Sequence, residues 1–307
     1  MRRMTGILAG VFLLLGLAAL LYHPLSSWAA QHHMKGEIAE FEQALEREGV
    51  QPSQGETPST NEYQNLLEEM QTYNERLYES GQSGLTDAWS YEQAAFDLTS
   101  YGLSTEVMGV LRIPAMEQEL PVYLGATQEN MARGVAVLGQ TSMPVGGMNT
   151  NCVIVGHRGY GGTAFFREIE ALQPGDPVYL TTYWGTKPYQ VERTAIILPD
   201  QIDAVLIQEG RELLTLVTCH PYTVATHRYV VYCAAVEDGS SHQASTPAEP
   251  DGTHSQDGAQ TGHSLSQRRI QLEQWLPFLA IPLIVVSIPV VIWPKRKKKR
   301  GLERGKD

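Results

Sequence analysis

The stretch Leu213-Leu214-Thr215-Leu216-Val217-Thr218-Cys219-His220-Pro221 decides the fold. Aliphatic and β-branched residues run unbroken up to Cys219, the pattern of a buried strand. Pro221 then removes the N–H that a continuing ladder would need, so the thiol sits at a strand end, facing a rim or cleft. Working outward, the same pattern of short apolar runs between turn residues recurs at 107–113, 120–123, 134–138, 152–156, 178–182, 188–198 and 229–236. Eight strands in about 130 residues predict a mostly β, closed eight-stranded barrel. A segment after Gly162, through Phe165, Phe166, Ile169 and Leu172, predicts a short crossover helix ending near Pro174-Gly175.

Around the barrel the composition changes. Arg2 and Arg3 precede an uncharged run over 5–21, and Ala29-Ala30 follow, so residues 1–30 read as an export signal, either cleaved or retained as a membrane anchor. Residues 31–104 form a helical region: Ile38, Phe41 and Leu45, then Leu66, Met70, Tyr73 and Leu77, fall at helical spacing on either side of a breaker at 52–60. Periodicity alone favours a membrane-proximal spacer and does not name a packing partner for these helices. The barrel occupies 105–238. Residues 239–270, rich in Ser, Gly, Gln, His and acids, read as a flexible linker. Within 271–307, the uncharged stretch 275–293 has a Trp at each boundary and the basic run 295–300 behind it. That is a transmembrane helix with a cytoplasmic tail.

The 307 residues carry a net charge of -11, but the first thirty and last fourteen hold ten of the 23 basic residues and two of the 34 acids. The exported middle is therefore strongly acidic, 13 basic residues against 32 acids. Such a surface repels nucleic acid and anionic lipid and suits a basic partner or a substrate amine. Three cysteines are too few for a disulfide framework, and the odd count leaves at least one thiol free; Cys219 is the candidate. No cluster with metal-ligand spacing is present, so neither a metal nor another cofactor is expected.

A lone Cys at a strand end is more often a small buried apolar residue than a nucleophile. A base would overturn that. Of nine histidines, His23, His32, His33, His242, His254 and His263 lie in the export segment, its flank or the linker, which leaves His157, His220 and His227. His220 follows Cys219 in extended chain and points to the opposite face. His227 is coupled in sequence to Arg228. His157 ends another apolar strand, Val153-Ile154-Val155-Gly156, ahead of a glycine-rich turn, and two strand ends can meet at one rim. An imidazole near a thiol raises thiolate availability and later protonates a leaving amine. Arg228, nine residues past Cys219, opens the last strand, so a hairpin returns its guanidinium to the same rim, where it can hold an oxyanion. Taken singly, His157 has a structural histidine as its lesser alternative, whereas Arg228 reads first as a surface cation paired with an acid. Together the three make an acyl-transfer set.

Thr215-Leu216-Val217-Thr218-Cys219 resembles the TLxTC signature of sortases, Val155-Gly156-His157-Arg158-Gly159 their strand-end histidine, and Pro221-Tyr222 through Thr226-His227-Arg228 the segment reaching their arginine. Thr141-Ser142-Met143-Pro144-Val145-Gly146-Gly147, Phe165-Phe166 and Leu172-Gln173-Pro174-Gly175-Asp176 are similar to the family as well. Ala225, where the family usually has Asn, and Val231-Tyr232-Cys233, where it often has Val-Arg-Gly, depart from it. The resemblance implies a sortase-type barrel in which Cys219 is the nucleophile, His157 the acid/base and Arg228 the oxyanion-stabilising cation.

Two membrane segments and the long helical region resemble class C, the pilus-assembling sortases. That class commonly carries a lid with an Asp-Pro-aromatic motif, and Asp87-Ala88-Trp89 resembles it with Ala in the Pro position. The implied partners are the membrane, pilin or surface-protein substrates with LPxTG-like C-terminal sorting signals, and an amine acceptor. That acceptor is a pilin lysine or, in a housekeeping-type enzyme using the same residues, a peptidoglycan precursor. A non-catalytic peptide-binding surface module is the rival from outside enzymology; it needs no complete Cys/His/Arg set. The implied location is the cell membrane, catalytic domain outside.

Overall fold

The computed structural model describes residues 2–47, 61–83, 85, 98–101, 103 and 105–236. The sequence-predicted lid, linker and C-terminal span lie outside the described residues. Among the described residues eight strands close a barrel: β1 (Val107–Ile113), β2 (Gln118–Leu124), β3 (Val135–Val137), β4 (Thr150–Val155), β5 (Pro177–Thr182), β6 (Gly185–Ile197), β7 (Glu212–His220) and β8 (His227–Ala235), in the order β1-β2-β3-β4-β7-β8-β6-β5. The expected strands are all present, with ends moved by a few residues. Closure leaves no open sheet edge. Leu111, Ile113, Leu120, Val122, Val153, Ile154, Leu216 and Val230 are fully buried within it.

Pairing of β4 with β7 is parallel, from Thr150↔Glu212 to Val155↔Val217. Both strands are buried on both faces at most positions, which is why they read as continuous apolar runs rather than alternating ones. β7 and β8 form an antiparallel hairpin with Leu214↔Cys233 and Cys219↔Arg228 opposed. Cys152 is paired with Leu214 on its other side, so β7 stands between Cys152 and Cys233. The two thiols are buried and free, and no disulfide joins them. Burial pushes both thiols up, Cys233 to about 12.

Among the described residues three α-helices accompany the barrel: α1 (Arg2–Arg47), α2 (Asn61–Glu79) and α3 (Gln128–Arg133). The apolar run and the first amphipathic helix are one continuous rod that passes through Pro24. An 18-residue stretch of it is apolar enough to cross a membrane, and none of that stretch is buried. Further on, α1 is no free spacer. Phe41 meets the Tyr183 ring edge-on at 5.0 Å, and Leu45, Leu66 and Met70 are buried with it. Glu37 accepts from Arg133 at 2.8 Å, while Arg133 also reaches Glu106 and lies over the Tyr123 ring at 4.7 Å. α2 is fastened by amides: Asn74 Oδ1 accepts from Met143 N at 2.7 Å, and Trp184 Nε1 donates to the Tyr63 carbonyl.

The helix expected after Gly162 is not there. Phe165, Phe166, Ile169 and Leu172 are all buried, but an aperiodic loop with one 3-10 turn at Ile169–Ala171 inserts them. Phe165 adopts φ 44°, a conformation no α-helix tolerates.

Candidate active site

Cys219 and Arg228 are directly opposed across the β7–β8 hairpin, so their side chains leave the sheet on the same face. The parallel register of β4 on β7 has a constant offset, and Gly156 N donates to Val217 O at 3.1 Å, extending it past the last strand pair. Carried on to the next position, that offset sets His157 beside Cys219. By that register an imidazole two residues past the end of β4 falls level with a thiol on β7 and a guanidinium on β8, a row in which each is half-buried.

Local structure holds the row. Gly156 is required by close approach: a Cβ there would lie 2.8 Å from Val135 and 2.9 Å from the Phe166 ring. Thr218, on the opposite face from Cys219, donates from Oγ1 to the Gly156 carbonyl at 2.7 Å and ties the two strand ends together inside the protein. The loop after His157 closes on itself through Tyr160 and Thr163. The Tyr160 ring stacks on His157 with centroids 4.8 Å apart. Burial lowers the His157 pKa, so the imidazole is neutral at neutral pH and able to accept a proton. Arg228 Nη1 donates to the carbonyls of Ala225 and His227, which directs the guanidinium across the hairpin mouth.

Sequence reasoning missed what lies under the row. Arg158, buried, donates through Nη1 to His220 Nδ1 at 2.8 Å and pairs through Nη2 with Glu170. Glu170 also stands 3.0 Å from His220 Nδ1. The residue after His157 and the residue after Cys219 are thus cross-linked on the face away from the row. Burial lowers the His220 pKa, with Arg158 acting in the same direction and Glu170 against it. The available signal was alternation: in extended chain the neighbours of His157 and Cys219 share the opposite face. His227, opposite His220, bonds Thr226 and is equally off the row.

A family model for the sortase domain matches residues 111–236. The type II crystal structure of Streptococcus agalactiae sortase C1 is 30% identical, with 65% of this chain and 97% of that chain covered and a TM-score of 0.56. The chain belongs to the sortase family.

Its structural neighbours are C-class sortases, and they include the lid mutant of the S. agalactiae enzyme, 28% identical, covering 65% of this sortase and 97% of that chain at a TM-score of 0.55. Sortase D of Bacillus subtilis is 29% identical over 130 residues, 41% of this chain; the match spans 63% of that relative's length.

Proposed function

We propose that this chain is a membrane-anchored class C sortase that cleaves an LPxTG-like sorting signal between Thr and Gly and passes the acyl group to a pilin lysine. One observation carries the reading: the shared row of His157, Cys219 and Arg228. Cys219 Sγ attacks the Thr carbonyl as its proton passes to the neutral His157 ring. Arg228 faces the oxyanion of the tetrahedral intermediate. Collapse breaks the C–N bond, His157 returns its proton to the departing Gly amine, and a thioester remains. The lysine amine then attacks the thioester, losing its proton through His157 while Cys219 leaves and is reprotonated. The lowered His157 pKa supports the first step, which needs an acceptor.

The anchoring part of the reading rests on the exposed apolar half of α1 and on the basic run at 295–300, which belongs on the cytoplasmic side. The catalytic domain is then extracellular. Asp87 and Trp89 are assigned to a lid that covers the row at rest; that a lid mutant of the S. agalactiae relative has been made supports this assignment.

Mass spectrometry of the full chain after incubation with LPxTG-type peptides tests the function. A Cys219 acyl adduct is expected, resolved faster by a pilin lysine than by a peptidoglycan-like amine. Preference for the latter reassigns the enzyme to cell-wall anchoring. Absence of any adduct, or an adduct that persists in Cys219→Ala, overturns the assignment.

A further inference from the structure

The track of α1 along the barrel fixes which end of the barrel lies nearer the apolar run. Ser26 and Ser27 are half-buried, and the partner of Ser27 is the loop that follows His157. A Cβ on Gly162, whose φ is +89°, would fall 1.9 Å from Ser27 Oγ and 2.9 Å from Ser27 Cα, so loop backbone and helix backbone are in direct contact. Fourteen residues later, about 21 Å along the helix, Phe41 packs on Tyr183. Tyr183 belongs to the β5–β6 connection, at the barrel end away from the row, and its hydroxyl donates to the carbonyl of Val107 where β1 begins. Helix α1 therefore runs from the His157–Cys219–Arg228 end of the barrel to the opposite end as it leaves the apolar run.

The uncharged run ends at Leu21, six residues before Ser27. At 1.5 Å per helical residue that is about 9 Å, close to the thickness of one headgroup layer beyond the hydrocarbon core. The side chains at this level suit an interface. Tyr22, Leu25 and Trp28 on α1 and Tyr160 on the loop are exposed, and Tyr and Trp favour the headgroup level. Two loops at this end, 159–164 and 221–226, contain no charged residue, while other connections there carry Glu117, Asp176 and Asp200, so the uncharged side bearing Tyr160 and Val224 is the one that can approach the bilayer.

From this we infer that the end of the barrel bearing the row stands against the lipid surface, with Tyr160 and its loop at headgroup level and the opposite end pointing away. The inference rests on α1 being a retained membrane anchor. It specifies the geometry of the substrate as well: the peptide to be cut is one presented within about 10 Å of the bilayer, the helical rise between Leu21 and Ser27. It also argues against removal of residues 1–30, because cleavage after Ala30 would take away the Ser27–Gly162 contact.

Photo-crosslinking of the full chain in phosphatidylglycerol/phosphatidylethanolamine nanodiscs reads this directly. A benzophenone amino acid replaces Tyr160 or, on the second loop at the same end, Val224; the control is Met148, equally apolar and 65% exposed but preceding β4 at the opposite end. Phospholipid adducts at 160 and 224 several-fold above those at 148 are expected. Equal adducts at all three positions, or more at 148, overturn the orientation. Carbonate extraction of the same preparation separates the premise: a chain that washes off the membrane overturns the anchoring and this inference together, while Cys219 acylation in detergent remains a separate measure of the chemistry.

Discussion

The bond from Thr218 Oγ1 to the Gly156 carbonyl is a side-chain tie between the ends of β4 and β7, beside the backbone bond from Gly156 to Val217, and its removal has a calculable cost. Thr218→Val keeps the shape and deletes the donor. Both groups are buried and 2.7 Å apart. A buried acceptor left without its partner costs about 1–3 kcal/mol. Taking the middle of that range, about 2 kcal/mol, the melting temperature falls by about 4–8 °C for a chain of this size. Cys152 and Cys233 supply the reporter, since both thiols are buried and react only when the barrel opens. Thermal or urea unfolding is followed by their modification in a Cys219→Ala background, in the reconstituted full chain. The rate effect is read separately with Cys219 intact. A shift of about 1 Å between His157 and Cys219 costs on the order of 100-fold, so the valine variant loses kcat with little change in KM. Thr218→Ser retains the hydroxyl and stays within a few-fold of the parent rate. A valine variant as stable and as fast as the parent, or a serine variant as slow as the valine, refutes the reasoning.

Burial depresses the His157 pKa, so the ring gains its proton only below the ordinary 6.5. The acid limb of kcat/KM therefore has its midpoint under 6.5, and Tyr160→Ala, which uncovers the ring, moves it up; a parent midpoint above 6.5 contradicts the assignment. The same sign governs folding: the unfolded chain takes the proton first, so stability is full above 6.5 and declines as pH falls toward the folded value, as an acid melt series checks. Arg228→Ala lowers kcat by about 10²–10³, the cost of one oxyanion donor, measured on the acylation step; an effect confined to KM removes it from that role. Ala225 sits at φ 58°, a left-handed conformation that costs an alanine about 1 kcal/mol and an asparagine less. Ala225→Asn accordingly raises stability by about 0.5–1 kcal/mol in urea melts, and a loss of stability would show that the hairpin needs alanine for another reason. Asp87→Ala with Trp89→Ala speeds labelling of Cys219 by a thiol reagent, and an unchanged rate removes the lid assignment.

The barrel was legible because its strands are short apolar runs punctuated by turn residues, and this pattern depends on local chain chemistry. β1 spans the expected 107–113, and Cys219 falls one residue short of the end of β7. The site was legible for a related reason: Gly156 before His157 and Pro221 after Cys219 mark where each strand gives out. The segment after Gly162 misled because Phe165, Phe166, Ile169 and Leu172 have helical spacing. Spacing records which residues are buried and not the backbone that buries them. Here Gly159, Gly161 and Gly162 at positive φ and Phe165 in the left-handed region pack the same side chains from a loop. Joining the apolar run to the amphipathic helix was likewise invisible, since Pro24, which lies inside α1, is a residue that ordinarily interrupts a helix.

What no periodicity carries is the arrangement under the row. Arg158 and His220 each follow a residue with a role on the opposite face, and their alternation could be read from extended chain. Their convergence on Glu170, forty-nine residues before Cys219, could not, because Glu170 arrives from the irregular loop that sequence reading took for a helix. A buried guanidinium is costly unless paired and hydrogen-bonded. Arg158 meets that requirement only when Glu170, His220 and the Cys219 carbonyl are all in place. The loop that was hardest to anticipate thus supplies the carboxylate that pairs the residues following His157 and Cys219. It is continuous with Gly162, one of the points where α1 touches the barrel, so the same short irregular segment adjoins both the helix and the row.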